Sequence, residues 1–362
     1  MGSKHAMKKI MVIGPMSSGH IQRWIIPLIN KYNFEIVTLH NSIDVPEGVN
    51  VRSLIKVFNN RLDFFVNIPY LLYLFCKIRP DLVHVHFLSS YGIMASFLPR
   101  NVKKILSIWG TDLNGKPTQN KVMRFLASRA LLKYDIINVP ANHMKDKLNR
   151  IFDYKIEENI VVFQYGVELS KLPQRASIVD NPIIKIASVR NWDELYHISD
   201  LISAFSKVEN ENLRLFVYGK GSKQAESTVQ ALINSFNDPR ITIMGFVKRN
   251  KMLEQLATMD IVVSIPDKDG APLSLMEAMY IGLYPLVSTI DANIEWLDNS
   301  TATFIDSYCQ DTIVDAILLS SHKVRMLEEN TYIIKNRASI IRNGDYEKNI
   351  RKMDDIYIKL LN

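Results

Sequence analysis

Residues Asp260 to Thr289 read DIVVSIPDKDGAPLSLMEAMYIGLYPLVST. The short apolar run closed by Pro266 has the length and composition of a buried strand. Asp267, Asp269 and Gly270 then supply a turn, and a helix is predicted to open near Pro272 with Ser274 in its first turn. YPLVST, from Tyr284, reads as the next strand. Two strands joined through a helix lie parallel in one sheet, so this segment asks for an α/β fold.

The alternation extends in both directions. IIKIASV (Ile183 to Val189), LRLFVYG (Leu213 to Gly219) and RITIMGF (Arg240 to Phe246) read as further strands, separated by helices such as ISDLISAF and MLEQLATM. Nearer the start, KIMVIG (Lys9 to Gly14) and DLVHVHF (Asp81 to Phe87) are strands. IQRWIIPLINKY (Ile21 to Tyr32), the stretch around Leu71 and MRFLASRALLKY (Met123 to Tyr134) carry apolar residues near i, i+3, i+4. Two doubly wound parallel-sheet domains are expected, with the polar, two-proline stretch Glu168 to Pro182 as the boundary. The stretch from Asp345 reads as a helix with apolar positions at Ile350, Met353, Ile356, Ile358 and Leu361.

The 362 residues suffice for two domains, and 47% hydrophobic with 22% charged residues excludes a disordered chain. Two distant cysteines, Cys76 and Cys309, argue against a disulfide framework and fit a cytoplasmic protein. MGSKHAM reads as an addition ahead of a natural start at Met7, and no signal-peptide pattern follows. The net charge of +7 is uneven: residues 1–180 hold 24 Lys/Arg against 13 Asp/Glu, and residues 181–362 hold 20 against 24. One half is therefore expected to meet an anionic partner. The basic residues are scattered and no nucleic-acid module is recognisable, so nucleic acid is not the expected partner. Phe64 to Ile78 is too short to span a bilayer and contains Asn67 and Pro69; it reads as an amphipathic helix, with insertion into a membrane interface as the alternative.

In open parallel sheets ligands bind beyond the carboxyl ends of the strands. There the chain places GPMSSGH with Gly14 and Gly19, which lacks the G-x-G-x-x-G pattern of dinucleotide enzymes, and VYGKG with Gly219, Lys220 and Gly221. Glycines admit a ligand close to the backbone, and Lys220 can neutralise a phosphate. Asp269 and Glu277 are eight positions apart, one carboxylate in the loop and one inside the helix. Amides near Ala271 to Leu275 would hold a diphosphate at the helix N-terminus, with the carboxylates accepting from sugar or ribose hydroxyls. His84 and His86 share a strand face, but further metal ligands are not apparent, and His84 reads as a core residue.

These residues carry a resemblance. From Met7 onward the chain resembles retaining glycosyltransferases of family 4 (group 1), of GT-B architecture, in a bacterial cell-surface polysaccharide branch. The segments that carry it occur in order: Gly19 with HIQRW, HVHF, SIWGTDL, FQYGVEL, SVRNWDEL with ISDLISAF, VYGKG, IMGFV, DGAPLSLMEAMYIGLYPLV and DANIEWL. The resemblance implies two Rossmann-like domains facing across a cleft. Residues 7–172, with a helix at 346–362 returning to them, would bind acceptor, and 180–345 would bind a nucleotide-sugar donor.

The implied site follows by position. Family members carry two acidic residues, usually both Glu, where this chain has Asp269 and Glu277. Glu277 would take the ribose hydroxyls; Asp269 and the amides after it, Gly270, Ala271, Pro272, Leu273 and Ser274 marking that segment, would take the transferred sugar. Arg190 matches the family's diphosphate-binding arginine. The accompanying lysine is replaced by Tyr196, and Lys220 is expected to compensate. Gly19, Gly219, Gly221, Gly245 and Phe246 complete the expected donor contacts. On the acceptor side stand His20, His86, Trp109 (where many relatives have histidine) and Asp112, to which the polar role there would pass. The resemblance implies metal-independent transfer from a UDP- or GDP-sugar by front-face attack, with no cofactor and no protein nucleophile. The acceptor would be a lipid-linked saccharide at the inner, anionic face of the plasma membrane. A GT-B nucleotide-sugar epimerase or hydrolase, and a non-catalytic nucleotide-sugar-binding partner, are the alternatives.

Overall fold

The computed structural model describes residues 7–41, 44–115, 120–152, 157–175, 182–326 and 331–362. The segment read as preceding the natural start, and residues 176–181 of the expected boundary, lie outside the described residues. The chain forms two compact units, Met1–Tyr165 with Glu347–Asn362, and Gly166–Tyr346.

The first unit is built on a parallel sheet of seven strands: β1 (Lys9–Ile13), β2 (Asn33–Thr38), β3 (Asn50–Ser53), β4 (Leu82–His86), β5 (Lys103–Ser107), β6 (Ile136–Val139) and β7 (Ile160–Val162). Their order is β3-β2-β1-β4-β5-β6-β7. β4 is buried throughout, as a strand covered by helices on both faces must be, and its only polar members are the buried His84 and His86. Two expected helices are each divided. Gly19–Ile25 passes into a tight turn at Ile26–Leu28, where Pro27 lacks an amide hydrogen. The apolar stretch around Leu71 forms Leu62–Val66 and Ile68–Ile78, with Pro69 in the first turn of the second helix, where its missing N–H costs nothing. That second helix buries Leu71, Leu74, Phe75 and Ile78, a core stripe at i, i+3, i+4, i+7.

The helix Tyr346–Leu361 belongs to this first unit and buries Asn349, Ile350, Met353 and Tyr357. Tyr357, rather than the expected Ile358, continues the seam, because 350, 353 and 357 share one helical face. Its hydroxyl meets Nδ1 of His84 at 2.6 Å.

The second unit carries a parallel sheet of six strands: β8 (Ile184–Ser188), β9 (Leu213–Tyr218), β10 (Ile241–Gly245), β11 (Ile261–Ser264), β12 (Tyr284–Ser288) and β13 (Thr303–Ile305). The order β10-β9-β8-β11-β12-β13 reverses direction between β8 and β11, the switch point at which open sheets bind ligands. The first border falls earlier than the proline stretch. Val167 donates to Gly344 O at 2.7 Å and accepts from Tyr346 N at 3.0 Å, and Arg175 N donates to Ile281 O at 3.1 Å. Arg175 also pairs with Asp260. The described part of the expected linker is thus fastened onto the second unit. Among the described residues, no helix is long and apolar enough to cross a membrane.

Candidate functional site

In the second unit the residues at the switch point converge. Arg190 follows β8 and Asp269 follows β11, so strand order alone brings them together across 79 positions of sequence. Arg190 Nε donates to Ser264 Oγ at 2.9 Å, its Nη2 pairs with Asp269 Oδ2, and its guanidinium lies 5.1 Å from the Tyr196 ring centroid. Tyr196 thus provides a face for the cation where the family would supply a second one, and burial raises its pKa. The other oxygen of Asp269 accepts from Gly270 N at 2.7 Å and Ala271 N at 3.3 Å. Two amides expected to face a donor are here turned onto the Asp269 carboxylate.

Beyond that loop the helix runs over Leu273–Ile281, with Pro272 at its N-cap position. Glu277 is almost wholly buried, and its Oε1 accepts from Arg249 Nε at 3.0 Å and Nη2 at 2.5 Å. Arg249, which the sequence reading missed, opens the helix Arg249–Leu256 just beyond β10. One signal could have found it: a cation on the first turn opposes the helix dipole and asks for a carboxylate partner.

The glycines of VYGKG have another cause than ligand approach. Gly219 has φ +110, and a Cβ there would stand 2.3 Å from Arg190 O; one on Gly221 would stand 2.8 Å from Ala225 Cβ. They make room for the chain's own Arg190 to Trp192 segment. Lys220 lies with its ammonium 5.1 Å from the ring centroid of the exposed Phe246. Gly245 (φ +64) and Gly19 are open: a Cβ on either would meet nothing within 4 Å.

His197 was also missed. It adopts a left-handed backbone (φ 53) and stacks on Tyr308 with centroids 3.7 Å apart. Its ring nitrogens meet Asp200 at 2.7 Å and Asp267 at 2.9 Å. Burial alone would lower its pKa, but the hydrogen bonds and charges of Asp267 and Asp200 prevail and raise it. With Asp267 N donating to Leu195 O at 3.0 Å, the segment 190–197 is tied to the loop after β11 at both ends.

The first unit gathers a second group. His20, in the opening turn of Gly19–Ile25, has Nδ1 on the Tyr165 hydroxyl and its ring centroid 4.5 Å from that of Trp109. Desolvation of this imidazole lowers its pKa to about 4, and Arg23 adds repulsion. Trp109 stacks on Phe87 at 5.5 Å. His86 is fully buried, and among the described residues neither of its nitrogens has a hydrogen-bond partner; burial, then His84 and His20, hold its pKa well below the usual value. His84 satisfies both nitrogens inside the core, with Tyr357 and with Ser107 Oγ at 2.8 Å.

Asp112 does not take the polar role expected of it. Its carboxylate is buried and accepts from Leu88 N, Ser89 N and Trp109 N, each at 3.0 Å, and from Ser89 Oγ at 2.8 Å. With four donors engaged it braces the Leu88 and Trp109 loops from inside. Burial raises its pKa against the pull of those donors.

The chain is similar to known glycosyltransferases. The family model for glycosyl transferases group 1 matches residues 170–339, and that for glycosyl transferase 4-like matches residues 9–139. The chain is 24% identical over 221 residues to N-acetyl-alpha-D-glucosaminyl L-malate synthase of Bacillus anthracis, a match spanning 58% of this chain and 56% of that relative. A glycosyltransferase of Rickettsia africae superposes with a TM-score of 0.80 at 16% identity, covering 99% of this chain and 100% of the other. HepE of Anabaena, solved with UDP and glucose, superposes with a TM-score of 0.76 at 12% identity, covering 97% and 99%. With two Rossmann-like parallel sheets of GT-B type and both family models matched in order along it, the chain belongs to the group 1 glycosyltransferases of family 4.

Proposed function

We propose that the protein transfers a glycosyl unit from a nucleotide-diphosphate sugar to a saccharide acceptor with retention of configuration. The observation that carries this reading is the Arg190, Ser264 and Asp269 cluster at the β8/β11 switch point, with Glu277 in the helix that follows the same loop.

Breaking the bond between an anomeric carbon and a diphosphate leaves negative charge on the departing nucleotide and positive charge on the sugar. Arg190 is placed at a strand end, where a diphosphate would exchange for Asp269 as its partner. That exchange frees Asp269 and the Gly270 and Ala271 amides for the hydroxyls of the transferred sugar. In the first turn of Leu273–Ile281, Leu273 N is already held by Ala271 O and Met276 N by Pro272 O, so the amides of Ser274 and Leu275 would take phosphate oxygens. Glu277 would accept from the ribose hydroxyls. The leaving phosphate then receives the acceptor's proton as the acceptor attacks from the same face, so no protein nucleophile is required.

HepE's complex with UDP and glucose favours a UDP-sugar, and the name of the Bacillus relative favours an N-acetylhexosaminyl group. The basic first half suits a lipid-linked acceptor at an anionic membrane face, the setting of surface polysaccharide assembly. A thermal-shift screen of UDP-, GDP- and ADP-sugars tests the donor reading. One nucleotide series should raise Tm, and Glu277→Ala should remove both that rise and turnover. A flat response to all three would overturn it.

A further inference from the structure

Residues 55–62, IKVFNNRL, form a run in which every residue is exposed. Ile55, Val57, Phe58 and Leu62 each leave 54–57% of their surface open. A loop that is apolar by accident turns such side chains inward; here the backbone is held by polar groups behind it. Asp63, itself buried, accepts from Val57 N at 3.0 Å and Phe58 N at 2.8 Å. Buried Asn67 accepts from Ile55 N at 2.9 Å and donates to Ile55 O and Asp63 O, both at 2.7 Å. The amides of Phe58 above all, with those of Val57, Asn59 and Asn60, keep the Asp63 carboxyl below its usual pKa. Asn59 turns the chain through a left-handed backbone (φ 54). The loop is therefore anchored from the inside, with four large apolar side chains held outward.

Its charge narrows the partner. Lys56 and Arg61 are interleaved with the apolar residues, and the run carries no acidic residue; the nearest, Asp63, points inward. Along the chain, Val66 and Tyr73 extend the exposed apolar surface, and the Lys77 ammonium lies 5.7 Å from the Tyr73 ring centroid. Exposed apolar groups set among cations fit the boundary of an anionic lipid bilayer, where side chains enter the acyl region and cations meet lipid phosphates. We propose that the loop 55–62 is a preformed membrane-docking element that seats the first unit on an anionic lipid surface. The assignment differs from the helical segment suspected on sequence grounds, since helix Ile68–Ile78 spends most of its apolar residues on the core. It rests on the reading of a lipid-borne acceptor.

The test is flotation of the full chain with vesicles of phosphatidylcholine alone, or of phosphatidylcholine with phosphatidylglycerol. Binding to the anionic vesicles is expected, and Phe58→Asp or Leu62→Asp should weaken it about tenfold or more. Lys56→Glu with Arg61→Glu should erase the preference for anionic vesicles. All three variants should unfold cooperatively at the wild-type Tm, because the altered side chains are exposed. Equal binding by wild type and Phe58→Asp, or self-association of the wild type that Phe58→Asp abolishes, would overturn the proposal. A chain that responds to UDP but ignores vesicles would sink the docking loop and leave the donor reading standing.

Discussion

Arg249 places two nitrogens on a single oxygen of Glu277, and among the described residues the second carboxylate oxygen accepts no hydrogen bond. The pair links the end of β10, where a nucleotide base is expected, to the carboxylate expected to read the ribose. Arg249→Met should therefore strip Glu277 of its counter-charge and lower UDP affinity about tenfold, with a smaller effect on 2′-deoxy-UDP. Calorimetric titration with both nucleotides checks this. Equal losses for the two would show that Arg249 supports the fold only.

Arg190 should matter for phosphate and little for the nucleoside. Arg190→Met is expected to weaken UDP binding by about ten- to a hundredfold, the range of a charge-assisted hydrogen bond, while uridine binding stays within about twofold. Comparable loss of uridine affinity would move Arg190 from the diphosphate to the scaffold.

Removing the Asp112 carboxylate should affect stability. Asp112→Ala leaves four buried or half-buried donors without an acceptor and should cost about 3 kcal/mol or more. The UDP-dependent rise in Tm should persist wherever the variant still folds, since the donor residues belong to the other unit. Denaturant melts with and without UDP decide it; wild-type stability would return Asp112 to the acceptor side.

Histidines of the two units should pull the pH dependence in opposite directions. His20, His84 and His86 have folded pKa values below the ordinary 6.5, to about 4 and about 3 for the first two, mainly through desolvation. Below 6.5 the unfolded chain takes up protons that these side chains refuse, so stability falls on acidification. His197 is raised: its contribution is complete below 6.5 and disappears as pH climbs through the folded value. Three against one predicts a lower Tm at about pH 5 than at about pH 7. The Tm gap between wild type and His197→Gln should be widest at the acid end. Calorimetry across that range checks both, and a Tm rising on acidification would contradict the first.

The strands that decide the fold, β1, β4, β8, β9, β11 and β12, were legible because a strand buried on both faces must be apolar without alternation. β2, β3, β5, β6, β7 and β13 were not picked out: Glu35 in β2 and Lys103 and Lys104 in β5 interrupt the pattern, and Lys104 is buried through its stem while its ammonium meets Pro99 O at 2.7 Å. The acidic pair and Arg190 could be proposed because motif order preserves them, and the structure pairs Arg190 with Asp269 and Glu277 with Arg249. Arg249 and His197 have partners 28 and 70 positions away; the first-turn cation asks for a carboxylate without saying which one, and nothing local announces the pairing of His197 with Asp267. Gly219 and Gly221 were singled out for close approach by a ligand, and close approach by the chain's own Arg190 to Trp192 segment demands the same residue.

Helix Tyr346–Leu361 completes the core around His84 and Tyr32, although its residues are synthesised after every strand of both sheets. The core face around His84 therefore stays uncovered during synthesis until residues beyond 346 have emerged, whereas the second unit, Gly166–Tyr346, is continuous in sequence. Until then Tyr357 cannot meet His84, so the helix acts as a latch on a sheet whose seven strands are already made.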